Sequence, residues 1–165
     1  MTYLVDSSCF MTASQTTYPF DIAESFWLKM AECAQRHLFY SIDKVADEIN
    51  ANIDALSQWC KENLPDDFFI SNESESVYQQ YAKVVNWAQK QKIKTAGFNQ
   101  FIDAEKADIY FVAFASLKPS EYTIVTEEKP APSSQTKIKL PDACSAFSIK
   151  SISFIQMLRE LKIRF

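Results

Sequence analysis

Four short acidic stretches carry the residues whose types and spacing could do chemistry. In the first, Tyr3-Leu4-Val5-Asp6-Ser7-Ser8, an apolar run ends on a carboxylate followed by two hydroxyls. A carboxylate withdrawn from water is costly unless something answers its charge. Asp6 therefore reads either as a ligand at a strand's end, steadied by Ser7 and Ser8, or as a turn cap that ends the strand. A D-x-D phosphatase pair fails because residue 8 is Ser, and a D-x-S-x-S metal motif fails because residue 10 is Phe.

Three acids compete in the second stretch, Asp43, Asp47 and Glu48. At about 100° per residue, Asp43 and Asp47 fall opposite the Val45/Ile49/Leu56 stripe while Glu48 borders it, which turns only Glu48 toward the interior. A Glu with its stem buried at the margin of a core face is the other reading. The third stretch holds Asp103, Glu105 and Asp108 ahead of the apolar run Ile109–Ala115. Attraction to a helix N-terminus would account for all three, but Asp108 alone abuts the apolar run and is the least hydrated. In the fourth, Ile124-Val125-Thr126-Glu127-Glu128, two acids follow a β-branched run. One is a site residue and the other a loop residue, with Thr126 able to hydrogen-bond a carboxylate or a metal's water. Gathered into one pocket, such acids would repel unless Mg²⁺ or Mn²⁺ neutralised them.

Other chemistries are short of residues. Four scattered cysteines, Cys9, Cys33, Cys60 and Cys144, form no C-x-x-C pair, so neither a zinc knuckle nor a redox motif is available, and buried thiols are expected. His37 is the only histidine, at a helix end where a surface or capping role suits it. Gly97 is the only glycine, which excludes phosphate-cradling loops and dinucleotide fingerprints.

The elements that must position these acids are strands and helices in alternation. Strands are predicted over residues 3–5, 38–42 and 122–126, with another at Lys137-Ile138-Lys139-Leu140. A helix is predicted from an Asp21 N-cap with Glu24 in a capping box, ending near His37. A longer one carries Val45, Ile49, Ile53, Leu56 and Cys60, and a third spans residues 76–91. A helical turn follows at Thr95–Phe101, then an apolar helix after Asp108, a loop over 127–136, and a closing helix over Ser153–Leu161. The pattern predicts an α/β fold, a three-layer α/β/α sandwich around a mostly parallel sheet of four or five strands. Its site lies beyond the carboxyl ends of the strands.

At 165 residues and 47% hydrophobic, one domain over residues 1–165 suffices. No run approaches the roughly 20 apolar residues that span a bilayer. The amino terminus lacks the features of a secretion signal, so a cytoplasmic location without membrane attachment is expected. Net charge is −4, but unevenly spread: residues 129–165 hold seven Lys/Arg against two Asp/Glu, whereas residues 1–128 hold ten against nineteen. The basic end is either a solvated tail or a phosphate-contacting patch.

Taken in order, YLVDSS, VADEI, ADIYFVAFA and IVTEE resemble the PIN-domain nucleases, whose chains carry a strand-ending Asp, a helical Glu, a helical Asp before small apolar residues, and a T-x-D/E after a late strand. FW near residue 26, a Trp near 59, KIKLPDAC and MLRELKIRF extend the likeness to a PIN-like branch over the whole chain. The resemblance implies metal-binding carboxylates at Asp6, Glu48 and Asp108, with Glu128 as a fourth catalytic acid. Ser7, Ser8, Thr126 and Glu127 would support them, and Lys129, Lys137 and Lys139 would track an RNA backbone. Ser8 stands where many relatives have Asn, and Glu128 where Asp is commoner.

The implied activity is Mg²⁺- or Mn²⁺-dependent endonucleolytic cleavage of RNA, as the toxin of a bacterial type II toxin-antitoxin pair. Its expected partners are an RNA substrate, a cognate antitoxin protein and, as in many relatives, a second copy in a homodimer. Two rival readings remain: a catalytically silent PIN-like module that binds RNA or protein, and a small Mg²⁺-dependent phosphohydrolase.

Overall fold

A computed structural model describes Met1–Phe165. The first strand, β1 (Thr2–Val5), lies beside β4 (Tyr122–Val125), with Leu4 opposite Ile124 and Val5 opposite Val125 in parallel register. All four of those side chains are fully buried, as befits a parallel pair covered on both faces. On the far side of β4, β5 (Lys150–Ile152) also pairs in parallel. A second parallel pair consists of β2 (Ser41–Ile42) and β3 (Phe69–Ile70). The two groups are stitched at Leu4 and Tyr40: Val5 N–H donates to Tyr40 O at 2.8 Å and Tyr40 N–H to Tyr3 O at 2.9 Å. The Ser41 hydroxyl adds a bond to Val5 O at 2.6 Å.

The fold is thus α/β with parallel pairing throughout. In place of one sheet of four or five strands, three strands and two are linked by a single bridge. Because every pairing is parallel, the carboxyl ends share one edge, from which Asp6, Asp43 and Thr126 emerge.

Helices fill the connections: α1 (Ser7–Thr12), α2 (Glu24–Gln35), α3 (Asp43–Asn50), α4 (Ala55–Asn63), α5 (Glu75–Gln89), α6 (Thr95–Phe101), α7 (Ala107–Ala115), α8 (Leu140–Ala146) and α9 (Phe154–Glu160). Ile109 and every residue from Phe111 to Ala115 are buried, so α7 is enclosed nearly all round, and α5 is its main neighbour. Forty buried apolar residues form one contiguous cluster that includes α7 and the three-stranded group. All four cysteines are free and buried within it. No helix is long and apolar enough to cross a membrane.

Several predicted elements differ. Residues 7–17, where the sequence pattern gives no strand or helix, continue from β1 as α1 and a π-helical turn over Ala13–Thr17. The second helix begins at Glu24 after Ala23, not with an Asp21 cap, because Ile22 and Ala23 N–H groups already turn back onto Pro19 O. The long helix through Ile53 is two helices: Ile53 is wholly exposed in the link, and Asp54 opens α4 through a reciprocal capping box with Ser57. Lys137–Leu140 is not a strand. Its alternation is real, with Ile138 and Leu140 buried, but no strand pairs with it, and Lys139 is the extended residue before α8.

Candidate metal centre

The carboxylate of Asp6 leaves the end of β1 almost fully buried, at 4% exposure. Three hydroxyls hold it. Ser8 Oγ donates to Oδ2 at 2.5 Å, Thr126 Oγ1 to the same oxygen at 3.0 Å, and Ser7 Oγ approaches Oδ1 at 3.4 Å. The parallel β1–β4 register brings Thr126 to Asp6 across 120 positions of chain. Burial pushes the Asp6 carboxyl up from its ordinary value; the Ser8 and Thr126 hydrogen bonds oppose this, and the charges of Glu48 and Glu128 add to it.

Glu48 reaches the same place from α3. Ser7 Oγ donates to its Oε2 at 2.5 Å, so one hydroxyl spans the Asp6 and Glu48 carboxylates. Its other oxygen, Oε1, accepts the Ala107 N–H at 2.9 Å. That amide opens α7 and is among the groups a helix leaves unpaired at its N-terminus, so Glu48 caps the helix that carries Asp108.

Asp108 follows one residue later, and its side chain makes no hydrogen bond. Burial, reinforced by the charges of Asp6 and Glu128, pushes its carboxyl up to about 7 against partial relief from Lys137. A carboxyl so displaced beside other acids marks negative charge that the surrounding protein does not neutralise.

The fourth stretch divides its two glutamates. Glu128 faces the acids, whereas Glu127 is exposed and turned away, and only its backbone N–H takes part, donating to Ser8 Oγ at 3.2 Å. Glu128 is itself committed. The Lys137 ammonium donates to Oε1, Lys139 lies 3.6 Å from the same oxygen, and Leu140 N–H donates to Oε2 at 2.8 Å. Burial alone would raise its carboxyl, but the Lys137 and Leu140 hydrogen bonds and both lysine charges hold it below the ordinary range. Lys137 and Lys139 are therefore partly answered by Glu128, and Lys129 stands apart on the exposed loop.

The single glycine seats this segment. An added Cβ on Gly97 would lie 2.2 Å from Thr136 O, a contact only glycine permits, and Lys94 N–H donates to Gln135 O at 2.8 Å beside it. The chain at residues 135–136 thus lies against the start of α6, one residue before Lys137.

Asp6, Glu48, Asp108 and Glu128 line one open cleft of about 540 Å³, together with Ser7, Ser8 and Lys137. As they stand, no three acidic, histidine or cysteine side chains lie close enough together to hold a metal ion between them; the four carboxylates share the lining of the cleft. The donors are all oxygen, from carboxylates and hydroxyls, and burial together with the neighbouring acids raises the cost of ionising Asp6 and Asp108. That chemistry fits a hard divalent cation such as Mg²⁺ or Mn²⁺ and not zinc.

A family described as Domain of unknown function (DUF4411) matches residues 3–165, which takes in all of these acids. The chain belongs to the DUF4411 family. No curated protein and no solved structure matches it.

Around the acids, this DUF4411 chain presents residues that the sequence reading set aside or did not single out. Asp47, read as opposite the apolar stripe, and Glu105, read as an acid drawn to a helix N-terminus, line the cleft with Gln100 and Lys106. The positions of Asp47 and Glu105 beside Glu48 and Asp108 in sequence were the available signal. Nothing local marks Gln100, which arrives through the packing of α6.

Proposed function

We propose that this protein is a divalent-metal-dependent endoribonuclease with a PIN-like, three-layer α/β/α architecture, acting in the cytoplasm as the toxin of a bacterial toxin-antitoxin pair. One observation carries the reading. Acids from four separated segments, Asp6, Glu48, Asp108 and Glu128, share one cleft at the carboxyl edge of parallel strands, with no histidine or cysteine among them. The order and residue types of the four motifs, which resemble those of PIN-domain nucleases, support the same chemistry.

Asp6, Glu48 and Asp108 would hold the ion. Bound there, a divalent cation supplies a water of lowered pKa and screens the charge that develops on a phosphodiester. The remaining work belongs to the chain. Ser8 and Thr126 fix the Asp6 carboxylate, and Ser7 sets its spacing from Glu48. Glu128 acts as a positioning residue that holds the Lys137 ammonium at the cleft, where it meets a phosphate's negative charge. A cognate antitoxin would silence the protein by covering the cleft, and pairing with a second copy is compatible with the reading.

The test is hydrolysis of a mixed RNA by the purified protein. Cleavage that needs Mg²⁺ or Mn²⁺, stops with EDTA and is lost in Asp6→Asn supports the proposal. Binding without cleavage would favour a silent RNA-binding module, and turnover of a small phosphate ester in place of RNA would favour a phosphohydrolase.

A further inference from the structure

The largest cavity of the molecule is not the acidic cleft but a neighbouring groove of about 690 Å³, between the end of α5 and the 131–138 loop. The two meet at Lys137, which lines both. Their charges are opposed. The cleft wall is dominated by carboxylates, whereas the groove presents Lys90, Lys92 and Lys137 against one acid, Asp142, whose Oδ2 is taken up by the Ala131 N–H at 2.9 Å. Lys90 and Lys92 are exposed, and neither enters an ion pair.

The groove is also lined by an aromatic side chain. Trp87 is half-buried in its wall and held edge-on by Phe101 and Phe147, with ring centroids 6.1 and 5.9 Å away. The opposite wall is preformed, since Ser134 Oγ accepts the Thr136 and Lys137 N–H groups and the Gly97 contact seats the loop. Free cations along a trough, a fixed aromatic ring and hydroxyl and amide side chains are what a single strand of nucleic acid needs for its phosphates, bases and sugar hydroxyls.

We infer that this groove binds a single-stranded stretch of RNA flanking the cleaved bond, with phosphates on Lys90 and Lys92 and a base against Trp87, so that the strand passes Lys137 into the acidic cleft. The inference rests on the nuclease reading of the cleft and adds to it the strand's path and its single-stranded character. It keeps Lys137 from the Lys129, Lys137, Lys139 track and puts Lys90 and Lys92 in place of the other two, Lys139 being engaged with Glu128.

The experiment measures binding of a fluorescent single-stranded RNA of about 12 nucleotides by anisotropy in EDTA, across a salt series. Lys90→Gln/Lys92→Gln should weaken binding about tenfold and reduce the slope of log K against log salt by about 1.4, the value for two lost phosphate contacts on a single strand. A charge-matched control, Lys29→Gln/Lys118→Gln on surface ion pairs elsewhere, should bind as the wild type does. Equal binding by the groove variant and the control overturns the inference, as does preference for double-stranded RNA of the same length or for an acidic peptide. Because binding is read without metal, the two readings part cleanly. RNA held through Lys90 and Lys92 but never cut would uphold the groove and refute the nuclease, and RNA cut but held equally well by the variant would do the reverse.

Discussion

Ser7 donates its hydroxyl to Glu48 Oε2 at 2.5 Å, joining the first turn after β1 to the last turn of α3 across 41 positions of chain. Since the same hydroxyl sits 3.4 Å from Asp6 Oδ1, it sets how far apart two of the candidate ligands stand. Groups that orient metal ligands in this way commonly contribute about 10- to 100-fold to metal affinity. Ser7→Ala should therefore weaken Mn²⁺ binding by about 10-fold. Electron paramagnetic resonance of free Mn²⁺ in a titration checks this, and unchanged affinity would deny Ser7 that role.

Asp108 fixes a pH dependence. Its carboxyl stands at about 7 in the fold against an ordinary 3.8, so between those values the folded protein retains a proton that the unfolded chain has lost. Stability contributed by this group is therefore greatest at low pH and falls as pH rises through that window. In EDTA, the unfolding midpoint should drop between about pH 4 and about pH 7, and Asp108→Asn should flatten the drop. Mg²⁺ or Mn²⁺ should raise the midpoint more at the alkaline end, where the carboxylate is ionised. Chemical denaturation at several pH values, with and without metal, reads all three effects.

Gly97→Ala should displace the loop that brings Lys137 to the acids, because Thr136 O occupies the space a methyl would need. Overpacking of this kind typically costs about 1–3 kcal/mol. The unfolding midpoint should fall accordingly while the far-ultraviolet spectrum is retained, and RNA cleavage should fall by more than the folded fraction explains. Cleavage that simply tracks the folded fraction would separate the loop from the chemistry.

Glu128 and Lys137 should behave as one unit. Glu128→Gln and Lys137→Met each remove the ion pair, so the loss of cleavage in the double variant should be well short of the product of the single losses. A double-mutant cycle on kcat/KM measures the coupling. Independent effects would mean that Glu128 does not act through Lys137.

The acids were legible in the sequence because each sits against an apolar run that fixes its direction. Asp6 ends Leu4-Val5, Asp108 abuts Ile109–Ala115, and Glu48 borders the Val45/Ile49 stripe, where helical periodicity turns it inward. What lay beyond local pattern was missed. Strands β3 and β5, of two and three residues, exist only through their parallel partners and carry no alternation of their own. The 7–17 segment is rich in Ser and Thr, poor helix formers, yet Cys9, Phe10 and Ala13 bury one face and tertiary packing overrides propensity. Lys137–Leu140 misled in the other direction, since alternating burial requires only an extended chain over a core, not a neighbouring strand. Gly97 was noticed for its rarity, but its purpose depends on a backbone 39 positions away.

Asp6, Glu48 and Asp108 should form one centre for a divalent ion, and isothermal titration of Mn²⁺ into the purified protein tests this most directly. Saturable binding of an ion by the wild type, lost in both Asp6→Asn and Asp108→Asn and retained in the remote Lys29→Gln/Lys118→Gln control, is the result predicted. Absence of saturable binding, or binding that survives loss of either aspartate, would contradict it.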